Sequence, residues 1–331
     1  MTKNKSSAIK TIGLLCSGGD SPGMNCAIRA VVRTAIGENL NVIGIQKGYM
    51  GLLEGHFRKM DLSSVGNIIQ RGGTILQTSR CPEFHQQEAR KEAANILKRN
   101  KIDALIVIGG DGSFMGASLL SKENQLPVIG IPGTIDNDIS GTQYSIGFDT
   151  AVQTCIDAVD KIRDTAFSHE RTFIVEVMGR RSSAIAVHVG MCTGAENIVI
   201  SHKNVDIKQI AADIKRGIER GKNSSIIIVA EGDSPGQLSY SIQEQLKSLF
   251  EINASVCVLG HTQRGGSPTG IDRFIASRMG FEAVKSLVKG QQYLVTAFIQ
   301  GEVTTVSLDQ CLSKRDDYET RYIEELKALS I

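Results

Sequence analysis

The sequence predicts an α/β protein built from doubly wound, mainly parallel sheets. Short β-branched runs recur along the chain, and helical periodicity fills most of the intervals between them. Several runs, Ala104–Ile108 above all, are apolar at every position, as a parallel strand covered by helices on both faces must be. Strand alternating with helix is the signature of doubly wound folds, in which ligands bind at the carboxyl ends of the strands. A chain of 331 residues has room for about two domains.

Taken in order, Ile12–Leu15 is a strand that exits into Ser17-Gly18-Gly19-Asp20-Ser21-Pro22-Gly23, and Gly23–Ile36 follows with helical spacing. Val42–Ile45 is the next strand and Gln86–Arg99 the next helix. Ala104–Ile108 exits into Gly109-Gly110-Asp111-Gly112-Ser113, again ahead of a helix. Val128–Ile131 exits into Pro132-Gly133-Thr134-Ile135-Asp136-Asn137-Asp138. Asp149–Arg163, Ile207–Arg220 and Ile271–Leu287 read as helices, with strands at Thr172–Met178, Ile198–Ile200, Ser225–Ala230 and Ser255–Leu259.

Composition removes several classes of function. With 37 basic against 35 acidic residues the net charge is +2, which is neither the footprint of a nucleic-acid binder nor that of a disordered chain. No apolar run exceeds five residues, so no membrane span is expected. The polar start MTKNKSSAIK gives no signal-peptide pattern, and seven scattered cysteines without a CxxC pair suit a reducing cytoplasm. The six histidines show no zinc-ligand spacing. What exceeds the average is glycine, 34 residues in all, above the usual ~7%.

Many of those glycines stand directly after strands. There they let the backbone turn sharply and bring amide N–H groups and a helix N-terminus to phosphate oxygens. Either of the first two loops alone is compatible with an ordinary βα turn. Neither has the GxGxxG spacing, and the chain holds no GxxxxGK[ST], so a nucleotide here would be bound without a Walker lysine. Asp111, a carboxylate among phosphate-binding glycines, calls for an intervening cation such as Mg²⁺, although a helix-capping Asp is the alternative. In the third loop, Asp136 has the chemistry to take a proton from an attacking hydroxyl, with Asp138 holding the geometry and Thr134 binding substrate. Arg80, Arg171, Arg180, Arg264 and His261 follow apolar runs and offer the cations that phosphorylated substrates need.

The segments SGGDSPGMN, QRGG, IGGDGS, PGTIDND, VEVMGR and LGHTQRGGSP, in this order, closely resemble the bacterial ATP-dependent 6-phosphofructokinases. The resemblance runs from about residue 12 to residue 290. It implies a phosphofructokinase-like pair of doubly wound α/β domains: 1–147 with 263–313 for the nucleotide, 148–262 with 314–331 for the sugar phosphate. It implies transfer of the ATP γ-phosphoryl group to O1 of fructose 6-phosphate, with Asp136 as base, Thr134, Asp138 and Arg180 beside it, and Asp111 associated with Mg²⁺. Gly19, Arg80, Cys81, Gly110, Gly112, Ser113 and Gly116 fall on nucleotide-site positions. Met178, Gly179, Arg180, Glu231, His261 and Arg264 match the sugar-phosphate site. Arg171 matches an arginine lent across a subunit interface, which implies a homotetramer. Pyrophosphate-using relatives tend to carry Asp at the position of Gly112 and Lys at that of Gly133, so both glycines point to ATP. Competing readings fare worse: NAD and lipid kinases share GGDG but not the later motifs, and a silent regulatory chain would be expected to lack Asp111 or Asp136.

Departures from the family pattern are also legible. Ser255 stands where a second inter-subunit arginine is usual, Cys81 where many relatives have Phe, and Arg181-Ser182-Ser183 follows Arg180. At the implied effector site Arg29, Arg33, Arg163, Arg220 and Lys222 keep its basic character. Leu62, His202, Asn223 and Ser224 change it, so allosteric control is expected to be weakened or altered.

Overall fold

The computed structural model describes residues 9–179, 182–200, 205–313 and 320–329. These divide into two compact units: one takes in residues up to Thr134, Ile139–Asp149 and 264–313, the other Ile135–Asp138, Thr150–Gln263 and 320–329. The chain opens with β1 (Thr11–Ser17), α1 (Met24–Gly37), β2 (Asn41–Ile45), α2 (Gly48–Glu54) and β3 (Phe57–Met60). It continues through α3 (Gln87–Arg99), β4 (Ala104–Gly109), α4 (Asp111–Asn124) and β5 (Val128–Pro132). Next come α5 (Phe148–His169), β6 (Thr172–Val177), α6 (Ala184–Thr193), β7 (Asn197–Val199) and α7 (Ile207–Glu219). β8 (Ser225–Ala230), α8 (Gln237–Phe250), β9 (Ala254–Val258) and α9 (Gly270–Val288) follow. The last elements are β10 (Leu294–Ile299), β11 (Glu302–Ser307), α10 (Leu308–Cys311) and α11 (Thr320–Leu329).

The sheet of the first unit runs β11-β10-β5-β4-β1-β2-β3, parallel from β10 to β2 with an antiparallel strand at each edge. Its central strands bury both faces. Ile106 and Ile108 of β4 pack with Met24, Ile28 and Val31 of α1 and Met279 of α9. Leu105 and Val107, pointing the other way, pack with Leu52, Leu97 and Ala117 of α2, α3 and α4. This is why β4 is apolar throughout rather than alternating. The second unit repeats the plan on a smaller scale, with the parallel order β7-β8-β6-β9. Ile174, Ile227 and Val229 pack there under Ile210 and Ile214 of α7 and Ile242 and Leu246 of α8.

α9 lies close against α1 because residue 280 has no side chain. A Cβ on Gly280 would stand 2.7 Å from both the Ala27 carbonyl oxygen and the Ala30 Cβ. Gly280→Val is therefore expected to destabilise the first unit by about 1–3 kcal/mol, the range for forced overpacking. Urea unfolding with an unshifted midpoint would contradict it.

The strand ends differ from the sequence expectation by one or two residues, and α5 runs on to His169. Three strands lack the expected signal. β3 is a short edge strand carrying the exposed charges Arg58 and Lys59. β10 and β11 form a hairpin whose two turn residues, Gln300 (φ 50°) and Gly301 (φ 85°), are both left-handed, the geometry of a type I′ turn. Gln is not a usual residue for the first of those positions, so the hairpin was hidden.

Candidate functional site

In the first unit the three strands that exit into glycine-bearing loops are neighbours. Ser17 pairs in register with Gly109, and Gly109 with Pro132, so the ends of β1, β4 and β5 stand side by side. The order of the sheet reverses at β1: α1 leads to β2 on one side, and the chain returns to β4 on the other. Such a switch point leaves a crevice beyond the carboxyl ends of the two strands. Residue 109 has to be glycine, since a Cβ there would come within 2.5 Å of the Ser113 hydroxyl and the Ser17 carbonyl oxygen.

Several further first-unit candidates stand on or next to this edge. Gly110 caps α4, its carbonyl accepting from Ser113 N and Phe114 N at 3.0 Å each, and Asp111 and Gly112 lie exposed in the first turn. Thr134 lies beside Gly110; its backbone is pinned by Thr134 N donating to Ile146 O (3.1 Å) and Ser145 Oγ donating to Thr134 O (2.7 Å). Thr78 Oγ1 donates to Gly18 O (2.6 Å), which draws the segment carrying Arg80 and Cys81 against the first loop. Arg264 belongs to this unit too, packing over Gly19 and donating to Asp20 O (3.1 Å). Gly116 faces a stacked pair, Tyr49 and Phe84, with ring centroids 4.0 Å apart. The buried Tyr49 hydroxyl donates to Ser113 O (2.6 Å) and so braces the first turn of α4. Nothing in local sequence pattern singled out Tyr49.

The second unit makes a corresponding edge. Glu231 N donates to Val177 O (2.8 Å) and Leu259 N to Glu176 O (3.0 Å), so the exits of β8, β6 and β9 run together. Met178 and Gly179, Glu231 and His261 all leave from there. Beneath them the buried Glu176 carboxylate accepts from Gly236 N and Ser239 Oγ, both at 2.6 Å, and fixes the start of α8. Gln263, wholly buried, links Met178 to Gly260. Asp136 and Asp138 cluster with this unit, and Ser182 Oγ donates to Asp136 O (2.6 Å). Asn137 between them is buried and left-handed (φ 46°), which reverses the chain between the two acids.

Other candidates lie apart from both edges. Arg171 is exposed at the amino end of β6, about 23 Å along the strand from Met178 at ~3.3 Å per residue. Ser255 sits near the same end, in register with Phe173. Arg180 and His202 lie outside the described residues. Arg163 and Lys222 line a cavity of about 680 Å³ together with Asp164, Phe167, Asn223 and Ser224, and Arg220 is exposed at the end of α7. Lys222 pairs with the buried Glu196, whose second oxygen accepts from Ile226 N. Arg163 donates to Thr193 O (2.5 Å) and Asn223 to Glu170 (3.0 Å). Arg29 and Arg33 are on α1 in the first unit, and Leu62 is half exposed there.

The described residues contain no group of three or more His, Cys, Asp or Glu side chains placed to hold a metal ion. No helix among them is long and apolar enough to cross a membrane. Burial pushes the thiols of Cys16, Cys155 and Cys311 up to about 12 and that of Cys26 to about 11. Cys192, by contrast, is exposed on α6. At neutral pH a maleimide is expected to label Cys192 ahead of those four, because the thiolate is the reactive form. Peptide mapping that finds a buried cysteine labelled first would contradict this.

Two doubly wound sheets, with glycine loops at the switch point of one and Glu231 and His261 at the strand ends of the other, define an α/β protein of the phosphate-ligand-binding class. The family model described as Phosphofructokinase matches residues 11–287. An ATP-dependent 6-phosphofructokinase of Staphylococcus epidermidis is 49% identical over 98% of this chain and the whole of the relative. One from Staphylococcus carnosus is 51% identical over 93% of this chain and 95% of the relative. Among solved structures, phosphofructokinase from Saccharomyces cerevisiae superimposes with a TM-score of 0.86 at 34% identity, covering 97% of this chain and 48% of that one. A pyrophosphate-dependent phosphofructokinase from Marinobacter aquaeolei shares the fold, with a TM-score of 0.82 at 18% identity over 96% of this chain and 91% of that one. The chain belongs to the phosphofructokinase family.

Proposed function

We propose that this chain transfers the γ-phosphoryl group of ATP to O1 of fructose 6-phosphate, giving fructose 1,6-bisphosphate and ADP. The observation that carries the reading is the alignment of the β1, β4 and β5 exits, which sets SGGD, GGDGS and PGT side by side. Relatives of near-identical length and about half-identical sequence are named ATP-dependent 6-phosphofructokinase. In this reading the first unit takes the nucleotide. Backbone N–H groups at the start of α4 and the helix dipole meet phosphate oxygens, and Arg80 and Cys81 flank the base. The second unit takes the sugar phosphate, with Met178 and Gly179 along the ring, Glu231 on its hydroxyls, and His261 and Arg180 supplying donors. Arg264, in the first unit, is a further cation for a phosphate group. Asp136 accepts the proton of the sugar 1-hydroxyl as it attacks, Asp138 holds that loop, and Thr134 orients the reacting groups.

Asp111 suits Mg²⁺: it is a single exposed carboxylate among glycines, the hard oxygen donor such an ion shares with phosphates. When bound, that ion would neutralise charge on the transferring phosphoryl group. Arg171, at the far end of β6, serves a sugar-phosphate site only in a second copy of the chain, which supports an oligomer; that it is a homotetramer is what the resemblance implies. The free cysteines suit a cytoplasmic setting. A coupled assay with fructose 6-phosphate tests the whole reading. Turnover is expected with ATP, and turnover with pyrophosphate alone would overturn the donor assignment.

Effector control is proposed to be weakened. Lys222 and Arg163, the two cations among the residues that line the 680 Å³ cavity, already serve Glu196 and Thr193 O. Asp164 adds a like charge to any anion there. The expected result is near-hyperbolic dependence on fructose 6-phosphate, with less than about a twofold response to ADP, since each lost charged hydrogen bond forgoes roughly 1.5–3 kcal/mol. Sigmoidal kinetics relieved by ADP would overturn it.

A further inference from the structure

The motif LGHTQRGGSP contributes His261 and Arg264 to the reading above, but Gln263 between them has no part in it. We propose that Gln263 is a positioning residue that sets Met178 and His261 for the sugar phosphate; the inference rests on that reading of the second unit.

Gln263 is fully buried, and its amide makes three hydrogen bonds: to the exit of β6, to α5, and back within the short turn, residues 260–264, that carries Gln263 itself. Oε1 accepts from Met178 N (3.1 Å), the first backbone amide beyond β6. The same oxygen accepts from the Cys155 thiol on α5 (3.1 Å). Nε2 donates to Gly260 O (3.0 Å), the residue before His261. The orientation of the amide follows from chemistry: the Met178 N–H can only donate, so it takes the oxygen, and the Gly260 carbonyl can only accept, so it takes the nitrogen.

What the amide joins is therefore specific. β6 pairs with β9, and their ladder ends with Leu259 N donating to Glu176 O (3.0 Å). Among the described residues the pairing of the two strands ends there. Gly260 adopts a left-handed conformation (φ 53°) that turns the chain out of the sheet. The Gln263 side chain takes over where the ladder stops, clamping the residue that opens the Met178–Gly179 segment to the residue that precedes His261. Both amide ends are spent on backbone groups of neighbouring site residues, and the remaining bond comes from the thiol of Cys155 on α5, a residue the reading gives no part in the site. A side chain placed so fixes where substrate-binding groups stand and touches no substrate itself.

Three variants test this. Gln263→Met keeps the volume and removes all three bonds. Gln263→Asn keeps a polar amide in the site but shortens its reach by one methylene, so it withdraws the bonds without burying an apolar tip there. Cys155→Ala removes the thiol bond and leaves both backbone bonds in place. Both Gln263 variants are expected to raise KM for fructose 6-phosphate about tenfold, with KM for ATP within about twofold of wild type and a smaller change in kcat. Cys155→Ala is expected to lower the melting temperature and leave both KM values unchanged. Gln263 variants that melt earlier but keep the wild-type KM for fructose 6-phosphate would reduce the residue to scaffold and overturn the proposal. So would an equal rise in both KM values, or failure of both Gln263 variants to reach a native circular dichroism spectrum. A wild-type chain that does not phosphorylate fructose 6-phosphate would instead overturn the reading on which the inference stands.

Discussion

Asp136→Ala is expected to lower kcat for fructose 6-phosphate by about 10²–10⁴-fold, the contribution usual for a positioned general base. The attacking 1-hydroxyl is a poor nucleophile while it keeps its proton, and Asp136 is the carboxylate proposed to take it. The loop that carries it is secured through its backbone. Ser182 Oγ donates to the Asp136 carbonyl and Asn137 is buried in a left-handed turn, so removing the carboxylate leaves these anchors in place. KM for ATP should therefore stay within about threefold of wild type, since ground-state nucleotide binding does not use this group. Steady-state kinetics on the purified variant, with a melting curve as control, measure both. Near-wild-type turnover by a folded Asp136→Ala protein would remove Asp136 from the role of base.

What the sequence shows of this site depends on where the signal is held. β4 and β5 are legible because both faces of each strand are buried, so the run itself is apolar and short. The first-unit loops are legible because the chemistry and the backbone demand coincide: glycine is needed at 109 for space, and Asp111 follows two residues on. β11 and β3 are edge strands with mixed burial, and such strands need no strong apolar pattern.

Tyr49, Glu176 and Gln263 act through contacts to residues 64, 60 and 85 positions away, respectively. No local spacing announces such a partner. Arg171 and His261 stand out in the sequence as cations beside apolar runs, and the resemblance to a family implies a role for each. The strand geometry separates them, because Arg171 stands at the entry of β6 and His261 beyond the exit of β9. A motif names residue types in order; only the sheet states which ends of its strands they occupy.

Gly112→Asp should raise KM for ATP by about 100-fold, equivalent to roughly 2.7 kcal/mol, while leaving the fold intact. Apart from its chain neighbours and the backbone of its own helix, no described heavy atom lies within 4 Å of where a Cβ at residue 112 would stand. The chain therefore has room for a side chain there, and glycine is not required by its own packing. Residue 112 lies in the first turn of α4, next to Asp111. A second carboxylate at a helix N-terminus is favourable for the helix by about 0.3–1 kcal/mol, so the melting temperature should hold or rise. The same charge is repulsive to a polyphosphate. Two unit charges about 4 Å apart interact with roughly 4 kcal/mol at an effective dielectric near 20, and solvent and cation screening reduce that to the expected value. Gly112→Ala separates the two effects, because it fills the space with a methyl group and adds no charge. Its KM for ATP is expected to rise no more than about fivefold, a cost of about 1 kcal/mol. If alanine is as damaging as aspartate, close steric approach of the nucleotide rather than charge accounts for the glycine. If neither substitution changes KM for ATP, the turn carrying Asp111 and Gly112 does not meet the nucleotide phosphates at all.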